Sequence, residues 1–462
     1  MASAAEQLAS NMNVGAFQKA TDLHKRLWFT LGALIVYRLG TYIPIPGIDP
    51  AMFAHAFSSQ SKGILGMFNM FSGGAVQRMA VFSLSVTPYI SASIIVQLMG
   101  TMYPPWEKLR KEGGEAGRKA MNQYTRYLTV VLALVQSFGI AEGLLHSGQH
   151  LVDINPVFFI VSTMATLTGG TLFLMWLGEQ ITSRGVGNGV SMIIFAGIVQ
   201  MLPTSIFQMF SLTRTGAMSP FALLGILAMA IGAVLFIVFM ERAQRRLLVQ
   251  YPKRQVGNRM YGGDSSFLPL KLNTAGVIPP IFASSLLLLP TTVMGFLASA
   301  KLPAWAQWLP GLVGQLSRGH PLYLLLYGAM IIFFTFFYTS IVFNPDETAE
   351  NLRKYGGFLP GIRPGKRTAE YMDFVLTRLT VIGAAYIAFV CLVPEALMVS
   401  SPSTQIIGGT SILIVVTVTM DTVTQIQSHL MAHQYEGLMK KQKGRAGRTA
   451  GRAKTPSKLS AR

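Results

Sequence analysis

Few residues of this chain have the types and spacing that chemistry demands. There is one cysteine, Cys391, set in an apolar run. That count excludes an intrachain disulfide and a thiolate zinc cluster, so Cys391 reads as a small buried apolar residue. The seven histidines are scattered and no HExxH occurs. No Ser/His or paired-Asp arrangement falls within the apolar segments, which leaves an intramembrane protease without a catalytic set. Residues 178–189 read GEQITSRGVGNG. They are not a phosphate loop, because no Lys-Ser/Thr follows the glycines and no soluble strand precedes them. Their four glycines suit a tight turn instead. Ionisable residues inside apolar runs are few: Arg38, Glu142 and Asp421, with Glu179 and Arg378. Ion-coupled transport uses carboxylates near the midplane, and these lie mostly toward helix ends. The chain is therefore expected to be neither an enzyme nor a holder of metal or cofactor.

What recurs is aliphatic. Val86 and Ile90 are four residues apart, and so are Val190 and Ile194. Each pair shares a helical face, which taken singly means core packing or lipid contact. Residues 63–74 read GILGMFNMFSGG, with Ile64, Leu65, Met67, Phe68, Asn69 and Phe71 ended by Gly73 and Gly74. The stretch is too short to span a bilayer. It is either an interfacial or re-entrant segment or a short helix folded back into a cavity as a stopper, with glycine hinges. Residues 268–281, LPLKLNTAGVIPPI, carry Asn273 into a later apolar run. A buried Asn there needs a partner on a neighbouring helix, and Gln97 and Gln136 are candidates. Pro279-Pro280 weaken the backbone ladder and allow bending. Residues 358–367, FLPGIRPGKR, present Arg363 on a pre-shaped tip. That tip is a solvated basic loop, or an arginine preset for an acidic or phosphate partner.

The elements that hold these residues follow from composition. Hydrophobic residues make up 51% and charged residues 12%, with a mean hydropathy of +0.44. One soluble core cannot hide that imbalance, so the bilayer is the expected solvent. Ten apolar runs read as spanning helices: about 27–43, 80–101, 127–145, 157–177, 190–210, 220–240, 274–292, 321–342, 371–393 and 405–427. The second, fifth and seventh are the least apolar. A helix with Thr87, Pro88, Ser91, Ser93 and Gln97 should turn one side to protein or water. The first run is too long for a cleaved signal segment and is expected to stay.

Net charge is +19. Placed loop by loop, 31 of the 38 Lys and Arg fall on one side and five on the other. This positive-inside bias puts both termini in the cytoplasm and makes the basicity topological. The expected divisions are a cytoplasmic segment 1–26, a first part 27–240, a cytoplasmic loop 241–273, a second part 274–427 with a loop at 343–370, and a basic tail 428–462. The loop at 241–273 is taken as the divide, with a sixth helix leading into it. Five helices per half is an odd number, so the halves enter the membrane in opposite senses, the arithmetic of an inverted repeat. The tail from 440 is expected to be disordered, with lipid or unspecific RNA contact.

Together these segments resemble the SecY family over about 27–437. The resemblance rests on GALIVYRLGTYIPIPGID at 32–49, MFNMFSGG at 67–74, PYISASII at 88–95, GEQIT at 178–182, RGVGNGVSMIIFAGIV at 184–199, LPLKLNTAGVIPPIFASS at 268–285, VFNPDETAENL at 342–352, PGIRPG at 360–365 and GGTSILIVV at 408–416. It implies an all-α membrane fold of ten helices in two inverted five-helix halves, with a short outer plug helix at about 64–74. It implies a pore ring of Val86, Ile90, Val190, Ile194, Ile281 and Ile414. A lateral gate would lie between helices two and three and helices seven and eight, with Ser91, Gln97, Gln136 and Asn273. Lys253, Arg254, Arg259 and Arg363 would serve docking of the cytosolic motor ATPase SecA and the ribosome; Asn258 stands where relatives often carry a basic residue. The implied function is the central pore of the general secretion channel in a bacterial inner membrane, passing unfolded preproteins across and apolar segments sideways into lipid. The implied partners are SecE and SecG, SecDF-YajC, YidC, preproteins with their signal sequences, and the bilayer. Topology alone leaves a ten-helix transporter with inverted repeats as the competing reading.

Overall fold

The computed structural model describes residues 21–48, 53, 69, 72–145, 155–216, 218–251, 254–256, 259–261, 265–297, 308, 311, 315, 320–400 and 408–452. The chain order is α1 (Thr21–Gly40), α2 (Thr87–Met102), α3 (Pro104–Glu112), α4 (Gly114–Leu145), α5 (Pro156–Arg184), α6 (Gly189–Arg214) and α7 (Pro220–Arg242). Four strands follow: β1 (Gln244–Gln250), β2 (Arg254–Val256), β3 (Arg259–Tyr261) and β4 (Ser265–Lys271). Then come α8 (Ile278–Leu297), α9 (Pro321–Val342), α10 (Pro345–Lys354), α11 (Lys366–Ser400) and α12 (Gly409–Arg452).

Each expected run holds a helix. Among the described residues, seven helices are long and apolar enough to cross a membrane: α4, α5, α6, α7, α9, α11 and α12. The first, second and seventh runs are α1, α2 and α8. The 20-residue α1 carries Asp22, Lys25, Arg26 and Arg38, and α2 is only 16 residues long. It is short because the residues before it are turns rather than helix. Met79 and Ser85 hold left-handed backbone at φ 45° and 49°, and Ser83 Oγ donates to the Ala80 and Ala75 carbonyls at 2.6 and 3.1 Å. Such strain persists only where surroundings over-determine it.

Two packed groups emerge. In the first, α4 packs on α2 and α5, and α5 on α1 and α6. In the second, α9 packs on α8 and α11, and α12 on α7 and α11. Since α7 belongs by packing to the second group, the divide lies at the short connection 215–219 rather than at 241–273. α7 is apolar all round and buries only Leu223 and Ile237, so its group is set by the few contacts it makes with α12 and α11, which loop length does not encode. The groups meet along two seams. At one, α8 lies on α2 and α4; at the other, α6 lies on α12 and α7, with α1 also against α12.

The connection 241–273 is a β-structure, not an open loop. β1 pairs antiparallel with β4 from Gln244↔Lys271 to Gln250↔Ser265, and β2 with β3 from Arg254↔Tyr261 to Val256↔Arg259. Gln250 and Phe358 exchange backbone hydrogen bonds of 2.9 Å each, tying this hairpin to the 343–370 connection. Leu247, Val249, Leu270, Ala349, Leu359, Ala369 and Met372 bury a shared core there. α10 begins on Asn344, whose Oδ1 accepts from Asp346 N and Glu347 N, a side-chain N-cap. The tail also departs from expectation, since α12 stays helical through Arg452. Its nucleus is already ordered within the bundle, and Lys, Gln, Arg, Leu and Met favour extension, while Gly437, Gly444, Gly447 and Gly451 each cost about 1 kcal/mol against it.

Candidate functional site

Four elements from both groups supply the six aliphatic positions. Val86 caps the start of α2, and its carbonyl accepts from Ile90 N at 3.0 Å. Val190 and Ile194 sit one turn apart at the start of α6, where Asn188 Oδ1 caps Val190 N and Ser191 N. Ile281 lies in the first turn of α8, and Ile414 in the first turns of α12. Val86, Ile90, Ile194, Ile281 and Ile414 are buried in one apolar cluster. Val190 is half-buried against the same cluster.

Val86, Ile90, Ile194 and Ile281 line one narrow cavity together with Ser85, Thr87, Ser284 and Ser285. Val190 and Ile414 are not part of that lining. Val190 instead lies over α5, where a Cβ on Gly178 would come 3.3 Å from Val190 Cγ2. The cause is the close crossing of α5 and α6. A Cβ on Gly189 would stand 1.8 Å from the Gly178 carbonyl oxygen, so only glycine fits there.

The polar positions distribute differently from expectation. Asn273 precedes α8 in a turn and is buried. Its Nδ2 donates to Glu241 Oε1 at 2.6 Å and to the Gly276 carbonyl at 3.2 Å. Its partners are thus on its own side of the seam, not Gln97 or Gln136. A carboxylate outcompetes an amide oxygen because a charged acceptor makes the stronger bond. Gln97 Nε2 donates to Ser93 Oγ at 3.1 Å. Among the described residues, Gln97 Oε1 and Gln136 Oε1 are buried without a hydrogen-bond partner. Ser91 is buried on α2.

Of the outer segment, Ile64, Leu65, Met67, Phe68 and Phe71 lie outside the described residues. Asn69 is buried, and its Oδ1 accepts from Gln77 N at 2.9 Å. Gly73 has φ +62°, and its carbonyl accepts from Gln200 Nε2 of α6 at 2.6 Å and Arg38 Nη1 of α1 at 3.4 Å. A Cβ on Gly73 would meet Gln200 Oε1 at 2.8 Å and Gly197 Cα at 3.0 Å. Gly74 has φ +79°.

Among the basic positions, Lys253 and Asn258 lie outside the described residues. Arg254 opens β2 and Arg259 opens β3 at the hairpin tip. Arg363 is exposed, and its carbonyl accepts from Thr368 Oγ1 at 3.0 Å. The Gln250–Phe358 bridge makes hairpin and Arg363 loop one structural unit. The intramembrane charges are mostly accounted for locally. Arg126 pairs with Glu179 through Nε–Oε1 and Nη2–Oε2 contacts of 3.0 and 2.8 Å. Arg378 stacks 4.1 Å over the Phe374 ring, and Asp421 is exposed on α12.

Glu241 had no place in the sequence reading, although its position one residue past an apolar run and its pairing with a buried Asn give it a role. The hairpin strands carried a weak signal, the short apolar run Leu247–Val249 set opposite Leu268, Phe267 and Ser266.

The family model for SecY matches residues 80–423. The chain belongs to the SecY family. A "Protein translocase subunit SecY" of Rickettsia bellii is 52% identical over 429 residues, covering 92% of this chain and 98% of that one. A solved structure described as "The structure of a protein conducting channel" superposes with a TM-score of 0.66 at 16% identity, covering 89% of this chain and 93% of that one. Another, concerned with how the plug domain of the SecY protein stabilises the closed translocation channel and maintains a membrane seal, gives 0.65 at 16% identity and the same coverages. The fold is accordingly the ten-helix, two-half membrane architecture of this family.

Proposed function

We propose that this chain is the pore-forming subunit of a protein-conducting channel, passing unfolded polypeptide across the membrane and apolar segments sideways into lipid. One observation carries the reading: aliphatic side chains from α2, α6 and α8 converge on a single narrow cavity where the two helix groups meet. Four of the eight lining residues are Val or Ile, which carry no donors or charges to grip a passing chain, and the hydroxyls of Thr87 and Ser284 are spent on the Leu84 and Ile281 carbonyls. An apolar constriction of this kind stops ions by dewetting. Val86, Ile90, Val190, Ile194, Ile281 and Ile414 form the ring in this reading, Val190 and Ile414 backing it from α6 and α12. The segment from Ile64 to Gly74 is the plug, as in the relative whose plug domain maintains a seal.

The seam of α8 with α2 and α4 is the lateral gate, edged by Ser91, Gln97, Gln136 and Asn273. Apolar segments leave through it because partitioning favours lipid. The bridged hairpin and Arg363 loop form the docking lobe for the motor ATPase and the ribosome, with Arg254 and Arg259 at the hairpin tip and Lys253 next to Arg254 in sequence. SecE and SecG are the small subunits expected to assemble with it, in a bacterial inner membrane with both termini cytoplasmic. Energy comes from outside the chain, since a greasy ring performs no chemistry.

The test is reconstitution of the full complex in planar bilayers, comparing wild type with residues 64–74 deleted. Deletion is expected to raise resting ion conductance while preprotein transport with motor and ATP persists. Unchanged conductance, together with no transport by the wild type, overturns the reading.

A further inference from the structure

Glu241 is the penultimate residue of α7, yet its carboxylate turns into the bundle. It accepts from Asn273 Nδ2 at 2.6 Å and from the Tyr386 hydroxyl of α11 at 3.5 Å. Tyr386 is itself buried and packs edge-on against Phe236 of α7, ring centroids 5.7 Å apart. The turn that carries Asn273 is pressed onto α11, since a Cβ on Gly383 would stand 2.8 Å from the Leu272 carbonyl oxygen. Gly276 N donates back to Asn273 Oδ1 at 3.0 Å. One carboxylate therefore joins α7, α11 and the entry to α8, all members of the second group. Across the seam, the side-chain oxygens of Gln97 and Gln136 are buried and unpartnered, while α8 packs on the helices that carry them.

We infer that Glu241 is a positioning residue of the lateral gate: by holding the Asn273 amide on its own half, it keeps that donor from bridging to Gln97 or Gln136 and latching the seam shut. This rests on the gate reading above. A buried amide N–H must find an acceptor. With Glu241 present, the acceptor moves with α8 when the halves part, so opening breaks no bond of Asn273. Without it, Asn273 Nδ2 loses its carboxylate partner while the oxygens of Gln97 and Gln136 across the seam have none, and a hydrogen bond between neighbouring helices inside the membrane would hold them together.

The experiment measures, in the full complex, the fraction of a marginally apolar reporter segment released into lipid rather than passed across. Glu241→Ala is expected to lower release about ten-fold, the factor one added hydrogen bond supplies. Adding Asn273→Ala is expected to restore it to within about two-fold, since the latch loses its donor. A purely structural role for Glu241 predicts that the double variant is at least as defective as the single, and that result overturns the inference. So does wild-type release by Glu241→Ala. Glu241→Gln keeps an acceptor of the same reach and gives an intermediate loss. If the alanine protein does not accumulate, a glutamine protein equal to wild type overturns the inference as well. Joining Thr87→Cys to Ser285→Cys with a short bifunctional thiol reagent separates the two ideas. Release that survives this pin removes the gate reading itself, whereas blocked release with Glu241 variants equal to wild type removes only the role of Glu241.

Discussion

The two seams between the helix groups are built on opposite plans. Where α6 and α1 meet α12, backbone and side chains are stitched across: Gly187 N donates to Gln425 Oε1 at 2.8 Å, and Thr422 Oγ1 lies 3.6 Å from Met192 Sδ. The turn that supplies Gly187 is itself tied to α1, with Val186 N donating to Thr30 Oγ1 at 3.0 Å. The groups are also covalently continuous there through 215–219. Where α8 meets α2 and α4, Asn273 bonds inward and the glutamine oxygens opposite have no partner. The hydroxyls of Thr87 and Ser284 there bond within their own segments, to the Leu84 and Ile281 carbonyls, and the aliphatic packing beside them is non-directional and tolerates sliding. A stitched seam suits a hinge, and a greasy seam suits an opening.

The contrast is sharpest under cross-linking. Pinning the α8 seam, through cysteines at Thr87 and Ser285, is expected to abolish lateral release of apolar segments. Pinning the other seam, through cysteines at Met192 and Thr422, should leave most of it. A reporter-segment assay that finds both pins equally harmful breaks the hinge-and-opening picture. Next in size, replacing Ile90 and Ile281 together by Ser should raise resting ion conductance about ten-fold or more, because it removes two of the four aliphatic side chains of the lining and leaves hydroxyls to wet it. Single-channel recording checks this, and an unchanged leak argues against the ring. Smaller again is Gln425→Leu, which removes the acceptor of Gly187 N. Loss of a partner for a buried donor costs about 1–3 kcal/mol, seen as a lower melting temperature of the complex with little change in conductance. The smallest effect is expected from Glu142→Gln with Asp421→Asn. Transport rates should stay within about two-fold, since no step of this reading moves a proton through them; abolished transport would revive the transporter alternative.

Burial shows the same contrast in the loops. The hairpin and the Arg363 connection lie far apart in sequence, yet Leu247, Val249 and Leu359 share a core and Gln250 bridges Phe358. The basic tip residues thereby ride on a folded lobe, which keeps arginines ready for a partner without each paying its own ordering entropy.

Much of the architecture was legible in the residues alone. Hydropathy over a twenty-residue window and the 31-to-5 division of Lys and Arg are sums over neighbours in sequence, so helix positions and the expected orientation need no tertiary information. The short start of α2 was not legible, because left-handed Met79 and Ser85 are imposed by their surroundings. Nor was the β-hairpin, whose strands are held by pairing rather than by local propensity. Val86–Ile90 and Val190–Ile194 have identical spacing, and either pair satisfies lipid as well as protein. That the first lines a cavity while Val190 lies over Gly178 depends on how closely α5 approaches α6. The partner of Asn273 was likewise open, because a buried amide takes the strongest acceptor within reach, and reach is a distance in space. By itself the sequence determined which segments leave water and which side their charges favour. Only the tertiary structure decided which faces meet and which carboxylate holds which amide, since packing and hydrogen bonds depend on ångström separations between residues remote in the chain.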